Sequence, residues 1–398
     1  MNQRELFLRH VAQTSDLPLL GVDINIKSAK GVKLLDVNGN EYIDLISGIS
    51  VSNIGHCHPK VISAINMQSQ KFMHLMVYGE FNQSPQVDYA KFLTGFLPQN
   101  LNSVYFTPSG SEATEGALKL AKRVTNRSEI ICFKKAYHGS THGALSVMGD
   151  EFFKNSFRPL LPDIKILDFN NLAELEKITS KTAAVIIEPI QGEAGVRKAE
   201  KEFIEKLRFK CNQHCALLIF DEIQTGFGRT GSLFAFNEFN IIPDILLIAK
   251  GMGGGLPIGA FIASNALMST LTNNPILGHI NTFGGNAVCV ASAHACLEVI
   301  IEENLLSRAF QIEKKIKQKL NHPLIKELRI HGALGAIDFG DETLNMKVIK
   351  NCLHNGIITD WFLFCSTAMR ISPPLTISDE ELDLALTKII FVLNEVYK

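Results

Sequence analysis

The 398-residue sequence contains no apolar run approaching the roughly 18 residues that would suggest a membrane-spanning helix. It lacks a basic arm and an acidic tail, and 39 lysines and arginines against 40 aspartates and glutamates leave a formal charge of −1. No field of one sign draws it to nucleic acid or to an anionic membrane. Repeats, linkers and low-complexity tracts are also missing. The opening residues, MNQRELFLRH, lack the apolar stretch of a signal peptide. Secretion is therefore not expected, a cytoplasmic location is, and the eight cysteines read as reduced thiols. Metal-ligand spacing is scarce too. Cys211, His214 and Cys215 cluster in CNQHC, and His56, Cys57 and His58 in GHCHP, but neither has a second ligand pair at zinc-site spacing. No metal is expected.

What is present is a globular composition, 46% apolar and 20% charged. The middle third repeats a short apolar run, a turn, then a helical pattern. SVYFT (103–107), EIICF (129–133), AAVIIE (183–188), ALLIFDE (216–222) and ILLIAK (245–250) are apolar on both faces, as parallel strands covered by helices are. Helical stretches such as 112–123 and 200–213 alternate with them, which predicts an open α/β sheet. Residues 31–46 read as a β-hairpin turning at Asn38-Gly39. The last third carries amphipathic helices over 303–320 and 378–396, the second opened by a Ser378/Glu381 capping box, and reads as a smaller α+β domain.

In open α/β sheets, ligands bind beyond the carboxyl ends of the strands. Those ends deliver Ser109-Gly110-Ser111, Tyr137 and His138, Glu188 with Gln191 and Glu193, Asp221 with Gln224, and Lys250. A lysine at such an edge is desolvated and loses its proton more easily. The neutral amine is a nucleophile that can form an imine with an aldehyde. A buried aspartate needs a cationic partner, and a protonated pyridine nitrogen is one. Lysine plus carboxylate is the pair that pyridoxal phosphate requires. Ser109 to Ser111 open a helix whose free N–H groups suit a phosphate, Ser109 and Glu112 being spaced as a capping box. Tyr137 or His138 could stack on the ring. Alone, each feature has an ordinary reading: a solvated lysine, a helix cap, a charged turn, a flexible loop. Their order at successive strand ends outweighs those readings.

Eight stretches, among them PSGSEATEGALKLAKR, AYHGSTHGALSVMG, IIEPIQGEAG, LLIFDEIQTGFGRTG, PDILLIAKGMGGGLPIGA and MRISPPLTIS, carry a resemblance to the class III pyridoxal-phosphate aminotransferases. That group holds the acetylornithine, ornithine and 4-aminobutyrate aminotransferases. The resemblance implies the fold type I architecture of pyridoxal-phosphate transferases: a large, mainly parallel seven-stranded sheet domain over 56–288. It also implies a smaller α+β domain over 289–398, joined by an N-terminal segment, 1–55. Lys250 looks like the cofactor-bearing lysine and proton carrier, and Asp221 like the pyridine partner. Gln224 resembles the donor to the phenolic oxygen, with Tyr137 stacking and His138 beside it. Ser109, Gly110 and Ser111 match the phosphate cradle, and Glu188 joins the cofactor set. Thr282 matches a phosphate ligand supplied by the neighbouring subunit, which implies a homodimer. Arg370 matches the arginine that grips the substrate carboxylate, and Glu193 the glutamate that pairs with it and moves aside.

The chain departs from this pattern at Ser140, where relatives typically carry a second carboxylate-binding arginine. Lys134, Lys135 and Arg158 are the nearby cations that would rebuild that site. The implied activity is ping-pong transamination from an amino acid or ω-amine, ornithine- or acetylornithine-like, to an oxo acid such as 2-oxoglutarate. Alternatives on the same fold are a racemase, decarboxylase or aminomutase, or an aminotransferase of the diamine or diaminopelargonate type.

Overall fold

The computed structural model describes residues 3–12 and 23–398. Residues 1, 2 and 13–22 of the segment expected over 1–55 lie outside the described residues. Strands β1 (Ile26–Lys30), β2 (Lys33–Asp36) and β3 (Glu41–Asp44) come first. Next are β4 (Ser103–Thr107), β5 (Glu129–Phe133), β6 (Ile164–Leu167), β7 (Thr182–Ile187) and the short β8 (Ile190–Gln191) and β9 (Arg197–Lys198). After these run β10 (Leu217–Asp221), β11 (Ile245–Ile248) and β12 (Gly259–Ala263). The C-terminal third holds β13 (Glu327–His331), β14 (Leu334–Asp338), β15 (Ile357–Ile358), β16 (Trp361–Phe362) and β17 (Cys365–Ile371).

A seven-stranded sheet in the order β4-β12-β11-β10-β7-β5-β6 is the platform. Every neighbouring pair from β11 to β6 is parallel, and only β12 runs against its neighbours. Alternate residues of its strands enter two different cores. Ile131, Val185, Leu218, Phe220 and Leu246 pack on one face. Ile130, Ala184, Ile186, Ile219 and Leu247 pack on the other. Burial on both faces is why these segments read as unbroken apolar runs.

All five strands anticipated from sequence form, as does the hairpin of β2 and β3. Two strands of this sheet were not foreseen. Both β6 and the antiparallel β12 are short, and β12 hides behind the glycine run at 251–255. β12 begins at Gly259, where a Cβ would sit 2.7 Å from the Ser109 carbonyl oxygen, so only glycine admits this approach. The helix expected over 303–320 is Leu305–Lys319, set apart from Ala287–Glu302 by Asn304 in the left-handed region (φ 53). The Ser378/Glu381 capping box is complete. At Ser109 only half of it forms: the hydroxyl accepts the Glu112 N–H at 3.2 Å, and the Glu112 side chain does not return the bond.

Two four-stranded sheets, β13-β14-β17-β16 and β1-β2-β3-β15, and the two-stranded β8-β9 complete the fold. The second four-stranded sheet joins the N-terminal strands to the C-terminal third through parallel pairing of β3 with β15. No helix among the described residues is long and apolar enough to cross a membrane.

The helix Gly110–Thr125 lies close over β12 at Gly116, where a Cβ would fall 2.2 Å from the Phe261 ring. In an open helix Gly→Ala stabilises by about 0.5–1 kcal/mol. Here Gly116→Ala should reverse that sign and destabilise by about 1–3 kcal/mol through overpacking, read as a lowered Tm.

Candidate active site

Register decides what meets at the sheet edge. Asp221 ends β10 opposite Leu247 of β11, so Lys250 follows three residues beyond the same edge. β4 delivers Ser109 there, and the helix starting at Gly110 turns its first N–H groups toward the space between. The result is a cavity of about 370 Å³, lined among others by Ser109, Gly110, Ser111, Tyr137, His138, Glu188, Glu193, Asp221, Gln224 and Lys250.

Lys250 holds a left-handed backbone (φ 46), a conformation a lysine keeps only when its surroundings enforce it. The enforcement is visible on its C-terminal side. A Cβ at Gly251 would lie 2.4 Å from Asn53 Nδ2. Asn53 is itself fixed, donating to the Phe227 carbonyl at 3.0 Å and accepting from buried Arg229 at 2.6 Å. Among the described residues, no hydrogen bond or ion pair reaches the Lys250 amine. Burial pulls its pKa below the ordinary lysine value, with the Glu193 carboxylate opposing and the Arg370 charge assisting.

Asp221 is buried and doubly held: Oδ2 lies 2.7 Å from His138 Nδ1, and Oδ1 accepts the Ile223 N–H at 3.0 Å. His138 therefore sits beside the carboxylate as its partner, while the Tyr137 ring lines the same cavity. His138 Nε2 is buried without a hydrogen-bond partner. Glu188 accepts the backbone N–H groups of Tyr137 and Gly192, both at 2.9 Å, which fixes two walls of the cavity. Burial pushes its carboxyl up to about 7, with the Asp221 charge adding to the shift and His138 opposing it.

Arg370 stands behind Glu193. Its Nη2 donates to both Glu193 carboxylate oxygens at 3.0 Å, and its Nε donates to Asp360 at 2.8 Å. The guanidinium lies 4.3 Å from the Phe362 ring centre, and Nη1 is buried without a partner. Burial opposes ionisation of Glu193, yet the arginine holds its carboxyl below the usual range. Gln224 reaches Glu193 with its amide at 3.4 Å. Asp360, pushed up to about 6 by burial, was not singled out from sequence, since nothing in IITDWF marks it as facing an arginine ten residues on. Asn53 was missed for the same reason.

Ser140 does not line the cavity. It is exposed at the rim, where its hydroxyl pairs with the Tyr137 hydroxyl at 3.1 Å. The three cations considered as its replacement are not at the cavity either. Lys134 pairs with Asp168 at 2.5 Å, Arg158 with Glu151 at 2.7 Å, and Lys135 faces a separate cleft. Thr282 is exposed and away from the cavity walls.

The donor set fits pyridoxal phosphate. It offers an unpartnered amine for an aldehyde, a buried carboxylate for a ring nitrogen, and a helix N-terminus for a phosphate. Gly110 keeps the cradle open, since a Cβ there would meet Ile223 at 2.9 Å.

The family profile described as aminotransferase class-III matches residues 17–393. The acetylornithine aminotransferase of Clostridium acetobutylicum is 38% identical over 379 residues, covering 92% of this chain and 95% of the relative. The crystal structure of ornithine aminotransferase from Toxoplasma gondii ME49 superposes with a TM-score of 0.91 at 30% identity, over 100% of this chain and 96% of that one. An (S)-enantioselective omega-transaminase from Thermomicrobium roseum superposes with a TM-score of 0.92 at 26% identity, over the whole of both chains. By profile, sequence and fold alike, the chain belongs to the class III aminotransferases and is a pyridoxal-phosphate-dependent transaminase.

Proposed function

We propose that Lys250 carries the cofactor and moves the substrate proton in a ping-pong transamination between an ornithine- or acetylornithine-like amine and an oxo acid. The observation that carries this reading is the half-buried Lys250, whose amine has no hydrogen-bond partner among the described residues and which lines one cavity with Asp221. When bound, pyridoxal phosphate supplies the aldehyde that takes up the amino group and a ring that withdraws electrons from the substrate carbon. Asp221 keeps the ring nitrogen protonated, and His138 fixes the carboxylate's orientation. The helix N-terminus at Gly110 and Ser111, with Ser109 beside it, holds the phosphate. Tyr137 covers the ring, positioned by Glu188, and Gln224 donates to the phenolic oxygen. Lys250 Nζ, its pKa lowered by desolvation, takes the proton from the substrate carbon and returns it to the carbon on the far side of the transferred nitrogen, two atoms away.

Arg370 binds the substrate carboxylate once Glu193 swings off, while Glu193 in place suits a substrate end without negative charge. The amino donor therefore reads as an amine or diamine-type compound as readily as an amino acid. With Ser140 at the rim, a dicarboxylate such as 2-oxoglutarate meets a single arginine in this chain. A homodimer in which Thr282 of one subunit reaches the other's phosphate is supported by the exposed apolar side chains flanking it, Ile276, Leu277, Ile280 and Phe283. A cytoplasmic location is supported by eight free thiols. The division into 1–55, 56–288 and 289–398 is retained as part of this proposal.

Lys250→Ala should lose at least about a thousandfold in turnover while keeping the wild-type circular dichroism, and borohydride should no longer label the peptide that carries residue 250. Normal activity would overturn the assignment. Glu193→Gln should lower KM for carboxylate-bearing substrates by about tenfold and raise it for diamines, because the arginine is unmasked. Ser140→Arg should improve kcat/KM for 2-oxoglutarate by at least about tenfold if the rim faces the acceptor's far end. Unchanged acceptor preference would place Ser140 outside the substrate path.

A further inference from the structure

A second, larger cleft of about 650 Å³ opens where β8 and β9 meet β13. Six cations from separate segments line it: Lys134, Lys135, Arg197, Lys198, Lys317 and Arg329. No carboxylate lines it. Four of the six are neutralised from outside its walls, Lys134 by Asp168, Lys198 by Glu238, Lys317 by Glu313, and Arg329 by Glu327 and Asp338. Lys135 and Arg197 have no acidic partner among the described residues. Three lining residues, Lys135 (φ 59), Asn170 (φ 60) and Val196 (φ 59), hold left-handed backbone without being glycine. Such strain persists where a site over-determines the chain.

The cleft also touches the machinery around Arg370. Gln191 lines it and donates to the Lys134 carbonyl at 3.0 Å, while Glu193 follows two residues later on the same loop. Arg329 Nε grips the Gly195 carbonyl at 2.5 Å, so one wall of the cleft holds the far end of the loop that carries Glu193. A charged ligand that recruits Arg329 competes directly for that hold.

We propose that this cleft binds a small polyanion, phosphate-bearing or polycarboxylate, and that its occupancy shifts the Glu193–Arg370 pair. The coupling rests on the role given to that pair under the proposed function; the binding does not. Lys135 and Arg197 supply the uncompensated charge, and Arg329 transmits the change through Gly195. Because exposed charges are screened, affinity should fall as salt rises.

The test is calorimetric titration of the holoenzyme with pyrophosphate and with citrate, against sodium chloride at matched ionic strength. The cofactor's own phosphate keeps the cradle occupied, so the second site is read alone. Saturable binding is expected, weakened at least about tenfold in Lys135→Gln/Arg197→Gln, whose activity without the anion should match wild type. Which of the two probes binds tells phosphate from carboxylate chemistry. A saturating probe should also change KM for a carboxylate substrate by at least about threefold at constant kcat, and this effect should vanish in the double variant. No saturable binding of either probe, or equal binding by wild type and variant, overturns the site. Binding with unchanged KM overturns the coupling, and loss of activity in Lys250→Ala with binding intact leaves the two proposals separately judged.

Discussion

A partly desolvated amine with no hydrogen-bond partner among the described residues is costly to keep charged, and the sheet edge is organised around that cost. Desolvation lowers the Lys250 pKa more than the surrounding carboxylates raise it. Position does the rest. The parallel register of β10 and β11 brings Asp221 and Lys250 to one edge. The left-handed turn at 250, braced by Asn53 and Arg229 against Gly251, aims the side chain back into the cavity. Asn53 and Arg229 are themselves buried and hydrogen-bonded, so the strain at one lysine is distributed over three segments far apart in sequence.

The second organising pair is opposite in character. Arg370 is buried between two carboxylates, Glu193 and Asp360, and a buried guanidinium needs such partners. The two contacts are unequal in kind. Glu193 sits on a loop and meets the outer Nη2, whereas Asp360 meets Nε, close to the side-chain stem. Removing the first exposes the guanidinium edge, and the second keeps it aligned. The stacking of Phe362 fixes the plane. An arginine masked by its own counter-ion exposes opposite charge depending on where that counter-ion sits.

Much of this was legible in the sequence because parallel strands buried on both faces leave an unmistakable apolar run, and their ends are where chemistry collects. Lys250, Asp221, Glu188 and the Ser109–Ser111 turn all come from such ends and meet in one cavity. The unread parts had physical reasons. β12 is antiparallel and preceded by glycines that read as loop. His138 and Tyr137 are adjacent and both line the cavity, and only the structure shows that His138 is the one paired with the carboxylate. Asp360 and Asn53 act through contacts with residues that no local pattern connects. Ser140 reads as a cavity residue from its neighbours yet points its hydroxyl at Tyr137 on the rim.

The pairing of β3 with β15 sets a timetable for the nascent chain. Ile43 finds Ile357 only after more than three hundred further residues have been made. At translation speeds of about 5–20 residues per second, that is roughly fifteen seconds to a minute during which the first hairpin leaves one edge open. The seven-stranded platform closes within residues 103–263 and can form on the ribosome in that interval. The emerging hairpin has to wait, and chaperones would meet it as an unsealed strand rather than as a finished end.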